Sequence, residues 1–347
     1  MPVLTILIPV YNHYIYLDKC LQSILGQRNE AVEVVCVDDN STDPRVLEYL
    51  DALQGSQANL VVARNSENLG ISAVLNQGVA LSNGEFIGFV DCDDFLPPGA
   101  IGQVLHHIQK YPDVDYFFSD RYDVDEDDNT LRRANYGGYP NIKPGGKIKS
   151  DLLDGMVASH LKVIRKSMIT QVGGFDPKLN GVQDWELALK IVEKGRFFYI
   201  REPLYHHRIH AKSVTQSDKV SQFRKTNIVR RRFCTRWFKN LADPQTSLTE
   251  IKQIITEKGG ITDNELNQRY VVLFTPGNYS LQQLKIQTES GNICVFDARD
   301  KFQLSWINFL REFNSYFDLI IADDPAVAVS IMGYIWDPRI IWLIDPS

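Results

Sequence analysis

The sequence predicts an α/β protein built on a parallel, nucleotide-binding-type sheet, followed by a basic helical connector and a second, small α/β unit. Three observations predict it. Short apolar, β-branched runs alternate with segments of helical apolar spacing from residue 4 to residue 90. Each run closes on polar or acidic residues. After Asp243-Pro244, strand-like runs begin again at wider spacing.

Taken in order, Leu4-Thr5-Ile6-Leu7-Ile8 reads as a buried parallel strand ended by Pro9. Leu17, Cys20, Leu21 and Ile24 mark a helix over Tyr16 to Ile24. Val32 to Val37 is the second strand, closing on Asp38-Asp39. Val46, Leu47, Leu50 and Leu53 mark the next helix, and Leu60 to Ala63 the third strand. Ile71, Val74, Leu75 and Val79 give a helix after Gly70, and Phe86 to Val90 a fourth strand. That strand runs into Asp91-Cys92-Asp93-Asp94, three carboxylates where a sheet strand emerges into a loop. Open α/β folds bind ligands at that edge. Clustered oxygen ligands suit Mg2+ or Mn2+ held together with substrate phosphates. The alternative is a solvated turn with helix-capping aspartates.

Beyond Pro98 the alternation loosens. Ile101, Val104, Leu105 and Ile108 mark a helix, and Val114 to Phe118 a strand. Asp123 to Asn129 resembles a Ca2+ loop only superficially, without the glycine and terminal glutamate such a loop needs, and reads as a solvated hairpin tip. Tyr136 to Gly146, rich in Gly, Pro and Tyr, reads as a loop of the kind that covers substrates. Ser159 to Ile164 and Phe197 to Ile200 read as strands, and Asp184 to Glu193 as an amphipathic helix. Residues 222–239 form a basic stretch with interleaved Phe and Trp. It reads as a connector packing its aromatic face, with peripheral contact to an anionic membrane surface as the alternative. The expected domains are 1–215, the connector 216–243, and a small α/β unit 244–347 of unassigned role. The chain stops soon after its last strand, as a piece of a longer protein would.

Composition narrows the class. With 347 residues, 44% apolar and 11% aromatic, the chain can bury two cores. A net charge of −6 gives no reason to expect nucleic acid. The five cysteines are scattered without a Cys-x-x-Cys pair, which suits reduced thiols in a cytoplasmic protein. No signal sequence precedes the first strand, and the longest charge-free apolar stretch, Ala326 to Trp336, falls short of the ~20 residues of a membrane span.

The polar groups at the four strand ends line one crevice if the sheet is parallel. In order they resemble the motifs of a family 2 glycosyltransferase: Ile8-Pro9-Val10-Tyr11-Asn12, Val37 to Asp43, Asn68-Leu69-Gly70, Asn76-Gln77-Gly78, Asn83 to Phe86 and Asp91 to Asp94. The resemblance continues at Gly173-Gly174-Phe175-Asp176, at Gln183-Asp184-Trp185-Glu186 and from Tyr205 to Thr215, covering roughly residues 2 to 230. It implies the GT-A fold, a UDP-sugar donor, and a glycan, lipid-linked or protein-linked acceptor. Pro9 and Tyr11 would flank the base, Asp39 would accept from the uracil imide, and Asn68, Asp91, Cys92 and Asp93 would line the nucleotide-sugar site. Asp38 reads equally well as a loop anchor.

A divalent ion, Mn2+ or Mg2+, on Asp91 and Asp93 would neutralise the departing diphosphate. Asp94 would ligate it or bind ribose, and spacing does not separate the two. His210 is a candidate further ligand. The resemblance makes Asp184 the base that takes the acceptor proton, with an N-cap as its structural alternative. Gln183 departs from the acidic residue common there and alters the local charge. Trp185, Glu186 and His160 are candidate acceptor contacts; Trp185 reads equally well as a packed core residue. Two other readings remain: a nucleotidyltransferase, though no Gly-rich basic loop follows the first strand, and a non-catalytic sugar-binding or assembly module, though no acidic motif is lost.

Overall fold

The computed structural model describes residues 2–27, 29–56, 59–135 and 147–210, parts of a helical stretch between 222 and 233, and four later strands. The chain forms two compact units, Met1–Lys225 and Thr226–Ser347.

In the first unit, β1 (Leu4–Val10), β2 (Val32–Asp38), β3 (Leu60–Arg64) and β4 (Phe86–Phe89) are parallel, in the order β3-β2-β1-β4. They alternate with α1 (Tyr14–Leu25), α2 (Pro44–Leu53) and α3 (Ile71–Leu81). Every residue of β1 and β2 is buried, as a sheet covered on both faces requires. Leu4, Ile6, Ile8 and Val10 share one core with Leu17, Cys20, Leu21 and Ile24 of α1. Leu7 points to the other face, where α3 crosses at Gly78; a β-carbon there would lie 2.1 Å from Leu7 Cδ1.

The sequence suggests that Pro9 ends the first strand, yet β1 runs through it, pairing Pro9 with Val37 and Val10 with Asp38. The Leu7 carbonyl accepts from Val90 N, so Leu7 and, two residues on, Pro9 face β4. The last β4 pair is Leu7 with Phe89. Proline's missing N–H therefore falls past the end of that ladder and leaves no bond unmade.

The second half of the unit reverses direction. After α4 (Ala100–Lys110) come β5 (Tyr116–Val124), β6 (Thr130–Ala134), α5 (Lys147–Asp154), β7 (His160–Arg165) and α6 (Lys166–Gln171). A short turn, Pro177–Leu179, then leads to α7 (Gln183–Ile191) and β8 (Phe197–Arg208). β7 inserts antiparallel between β4 and β5, β6 lies beyond β5, and β8 pairs parallel with β5. Two reversals make β5 and β8 run in the direction of β4, so Arg208 arrives at the edge where Phe89 ends. Only Phe197 to Ile200 of β8 is apolar enough to be read in sequence. The rest continues through register shifts opposite Ser119 to Tyr122.

The Asp123 to Asn129 hairpin forms as expected, between β5 and β6, but it is not simply solvated. Asp123 is buried and accepts from Arg121 Nε (2.8 Å) and Arg132 Nε (2.6 Å). Asp128 pairs with Lys19 and with Arg208 Nη2. Asp125 accepts from the backbone of Asp127 and Asn129, closing the turn on itself.

In the second unit, β9 (Val271–Thr275), β10 (Ile293–Asp297), β11 (Leu319–Ala322) and β12 (Ile340–Trp342) form a parallel sheet ordered β10-β9-β11-β12. The helical patterns between them, the Tyr136 to Gly146 loop and most of 222–239 lie outside the described residues. Within 222–233, Val229 and Phe233 are buried whereas Ile228 and Arg232 are exposed, a one-sided apolar stripe at helical spacing. No helix among the described residues is long and apolar enough to cross a membrane.

Candidate active site

The loops at the strand ends are locked to one another before any ligand is considered. Asn12 N donates to Ser41 Oγ (2.8 Å), and Asn12 Oδ1 accepts from Thr42 N (2.9 Å) and Asp43 N (3.0 Å), tying the β1 loop to the β2 loop. Asp39 Oδ1 accepts from Asn65 Nδ2 and Leu69 N (both 2.9 Å), and its Oδ2 from Gly70 N (2.8 Å), tying the β2 loop to the start of α3. Asn76 pairs twice with the Phe175 backbone, at 2.8 and 2.9 Å, fastening the Gly173-Gly174 turn beneath α3.

The acidic run divides at Asp93. Asp93 Oδ2 lies 2.9 Å from His210 Nε2, and His13 completes a group whose ligand atoms all fall within 4.8 Å of one another. Asp91, Asp94 and His160 form a second such group on the other side. Their states differ sharply. Asp94 is 2% exposed, its Oδ1 accepting from Arg208 N and its Oδ2 from Tyr205 Oη, both at 2.7 Å. Burial, then the Asp93 and Asp91 charges, push its carboxyl well above the usual range. The Asp91 side chain is 50% exposed. Desolvation of its enclosed half raises its pKa; Lys162 opposes the rise, and Asp93 and Asp184 add to it.

Asp184 stands in the first turn of α7, where a carboxylate suits the helix dipole. Its Oδ1 accepts from Trp185 N (2.8 Å) and its Oδ2 from Lys162 Nζ (3.2 Å). Lys162 pairs opposite Phe89 in the β4–β7 register, so it rises beside the acidic run. One ammonium thus faces both Asp91 and Asp184.

Residues 5–173 match the family model for Glycosyl transferase family 2. The segment is a family 2 glycosyltransferase domain. A chondroitin synthase of Escherichia coli is 28% identical over 265 residues, 74% of this chain and 37% of that protein. A hyaluronan synthase of Pasteurella multocida is 27% identical over 210 residues, 60% of this chain and 21% of that protein. The chain therefore spans well under half the length of these relatives. The crystal structure of S. aureus TarS 1-349 in complex with UDP-GlcNAc superposes with a TM-score of 0.57 at 18% identity, covering 96% of this chain and 84% of that one. That likeness carries the fold, a central GT-A sheet.

Within the glycosyltransferase domain the expected residues fare differently. Tyr11, 45% exposed, offers an open ring at the crevice, whereas Pro9 is buried inside β1. Asp39 keeps one lone pair at most for a base, since its carboxylate already anchors the α3 loop. Asn68 is exposed beside it, its Nδ2 3.4 Å from Asp39 O. Asp38 proves to be a loop anchor, accepting from Ser41 N and Arg64 Nε. The Cys92 thiol is buried in the core, so the expected contact to the nucleotide-sugar is left to its backbone. Asp94, expected as a ligand or ribose contact, is buried and holds β8 through Tyr205 and Arg208.

Trp185 is buried with Nε1 donating to Leu152 O, and Glu186 is 0% exposed beside Lys190. Neither shows the open face an acceptor contact needs, because α7 turns those positions inward; Trp185 is the packed core residue that was the alternative. Asp184 is not the N-cap, which is Val182. His160 stands beside the acidic run, its Nε2 4.0 Å from Asp91 Oδ2. Four residues of the edge were given no role of their own by the sequence: His13, Lys162, Tyr205 and Arg208. A histidine in the loop after the first strand was a legible signal for the first. The other three depend on β7 and β8 register.

Proposed function

We propose that the first unit is a metal-dependent, inverting transferase that moves a sugar from a UDP-sugar to a hydroxyl of a growing glycan or similar acceptor. One observation carries this reading. A pair of strand-end carboxylates, Asp91 and Asp93, and a separate carboxylate, Asp184, share one sheet edge, with a single lysine facing two of them. Support comes from TarS, crystallised with UDP-GlcNAc, and from relatives named as synthases of chondroitin and hyaluronan.

The donor set of Asp93 and His210, with Asp91 nearby and open, fits a divalent ion. Such an ion, bound with the diphosphate, would neutralise the leaving group as the glycosidic bond breaks. The chain's own residues do the rest. The exposed Tyr11 ring offers a stacking face for the base. Asp184, aligned by Trp185 N and Lys162, accepts the proton of the acceptor hydroxyl as its oxygen bonds the anomeric carbon and the bond to the diphosphate breaks on the opposite face. Lys162 holds the charge between Asp91 and Asp184 until substrates enter.

Calorimetry with UDP, with and without Mn2+, followed by a screen of nucleotide-sugars for slow metal-dependent hydrolysis, tests the proposal. UDP binding strengthened by the ion, and hydrolysis of one donor class, is the expected result. No UDP binding with any divalent ion, or turnover of a nucleoside triphosphate with a sugar phosphate instead, overturns it in favour of a binding module or a nucleotidyltransferase.

A further inference from the structure

We propose that His13 is a metal ligand together with Asp93 and His210, and that this set makes the site select Mn2+ over Mg2+. The inference rests on the transferase reading for the ion's purpose, but its geometry stands on the chain itself.

Three strand ends meet here. His13 follows β1, Asp93 follows β4 and His210 follows β8. Their ligand atoms lie within 4.8 Å of one another, with His210 Nε2 2.9 Å from Asp93 Oδ2 and the two imidazole centroids 5.4 Å apart. The His13 ring is brought there by an unusual backbone. Asn12 and His13 are both left-handed, with φ of 58° and 59°, and Asn12 is fixed to the β2 loop through its backbone N–H to Ser41 and its side-chain oxygen to Thr42 N and Asp43 N. His210 is buried, held edge-on by His13 and tilted against Tyr16 at 5.2 Å.

The competing group, Asp91 with Asp94 and His160, offers one usable ligand, Asp91. Both Asp94 oxygens are engaged. Arg121 Nη1, which can only donate, lies 3.1 Å from His160 Nδ1, so Nδ1 accepts and the ring hydrogen stays on Nε2, the nitrogen facing Asp91. An imidazole in that tautomer has no lone pair for an ion on the Asp91 side. His210 differs: among the described residues no hydrogen-bond partner occupies its Nδ1, so the ring hydrogen can move there and free Nε2.

Two imidazoles and one carboxylate form a mixed nitrogen–oxygen set. Mg2+ keeps oxygen ligands and water and gains little from imidazole, whereas first-row transition ions accept nitrogen. Mn2+ accepts both imidazole and the diphosphate oxygens that the site would share with it.

The test measures Mn2+ binding to the full chain by electron paramagnetic resonance, with the ion alone and with UDP. Nitrogen coupling is resolved by pulsed methods and compared with protein carrying 15N-histidine. In the unmodified protein the bound Mn2+ signal should carry coupling from two histidines, and a tenfold excess of Mg2+ should leave it bound. His13→Asn tolerates the left-handed backbone. It should weaken Mn2+ about tenfold or more and remove one coupling, while UDP binding in the absence of metal stays unchanged. Coupling from one histidine or none in the unmodified protein overturns the inference whatever the variant does. So does His13→Asn with unaltered Mn2+ affinity, or displacement of Mn2+ by equimolar Mg2+. Failure of UDP to bind, with Mn2+ still held by two histidines, counts against the transferase reading alone.

Discussion

Residues 1–94 and residues 116–210 reach one sheet edge by different physical routes. In the first stretch, every strand runs the same way between helices, and its polar groups are fixed by latches between residues 28 to 50 positions apart. Asn12 spans to Thr42 and Asp43, Asp39 to Leu69 and Gly70, and Glu33 to Thr5 and Asn83. In the second stretch, strands reverse, β8 slips register, and single buried side chains do the joining. Arg208 Nε donates to Asp93 O and its Nη1 to Asp125 O and Glu126 O, while its Nη2 pairs with Asp128. The first stretch is a frame whose stability is spread over many contacts. The second concentrates its stability in a few charged residues and brings Lys162, Asp184 and His210 to the carboxylates of the first.

The largest effect expected is on turnover. Asp184→Asn keeps the Trp185 contact but cannot take a proton, so transfer should fall about 10²- to 10⁴-fold with UDP binding retained. The measurement is kcat for transfer beside a UDP titration. Near-normal kcat would remove Asp184 from the chemistry and make its pairing with Lys162 merely structural. Next comes Arg208→Met. It withdraws the buried cation facing Asp128 and leaves three backbone carbonyls without their donor, so a loss of about 3–5 kcal/mol is expected in urea unfolding. A loss under about 1 kcal/mol would mean that Arg208 behaves as a surface pair, and the contrast between the two stretches would collapse.

The same contrast explains what was legible in the sequence. Strands buried on both faces must be apolar throughout, so β1, β2 and β4 stand out as runs such as Leu4 to Ile8, and their ends mark the edge without knowledge of pairing. The acidic run at 91–94 was visible for that reason. Which of its carboxylates faces the crevice was not, because that depends on partners more than a hundred residues away: Tyr205 and Arg208 for Asp94, His210 for Asp93. Lys162 was invisible because its neighbours follow from antiparallel register with Phe89, a pairing that no local pattern encodes. Trp185 and Glu186 misled because helical spacing gives the face of a residue only once the helix is docked. The outcome of β1 at Pro9 shows the same limit, since a proline breaks a ladder only where a ladder continues.

The smallest effect expected probes the frame. Gly84 precedes β4, and a β-carbon there would lie 2.5 Å from Thr5 N and 2.7 Å from Thr5 Oγ1. Thr5 Oγ1 accepts from Gly84 N (3.0 Å) and donates to the buried Glu33 carboxylate (2.7 Å), which also receives Asn83 N (2.8 Å). Gly84→Ala must therefore push β4 away from β1 at the edge opposite the crevice, against backbone that cannot rotate aside. Overpacking of this kind costs about 1–3 kcal/mol. Because the parallel strands share their load, the displaced Thr5–Glu33–Asn83 network should absorb the change locally. The expected outcome is a lower midpoint in urea with an unchanged slope and unaltered metal-dependent UDP binding. If Gly84→Ala instead weakened UDP binding tenfold, strain would be travelling along β4 from Gly84 to Asp91. The parallel half would then be a lever on the acidic run, and its separation from the residues that β7 and β8 deliver would be one of topology alone.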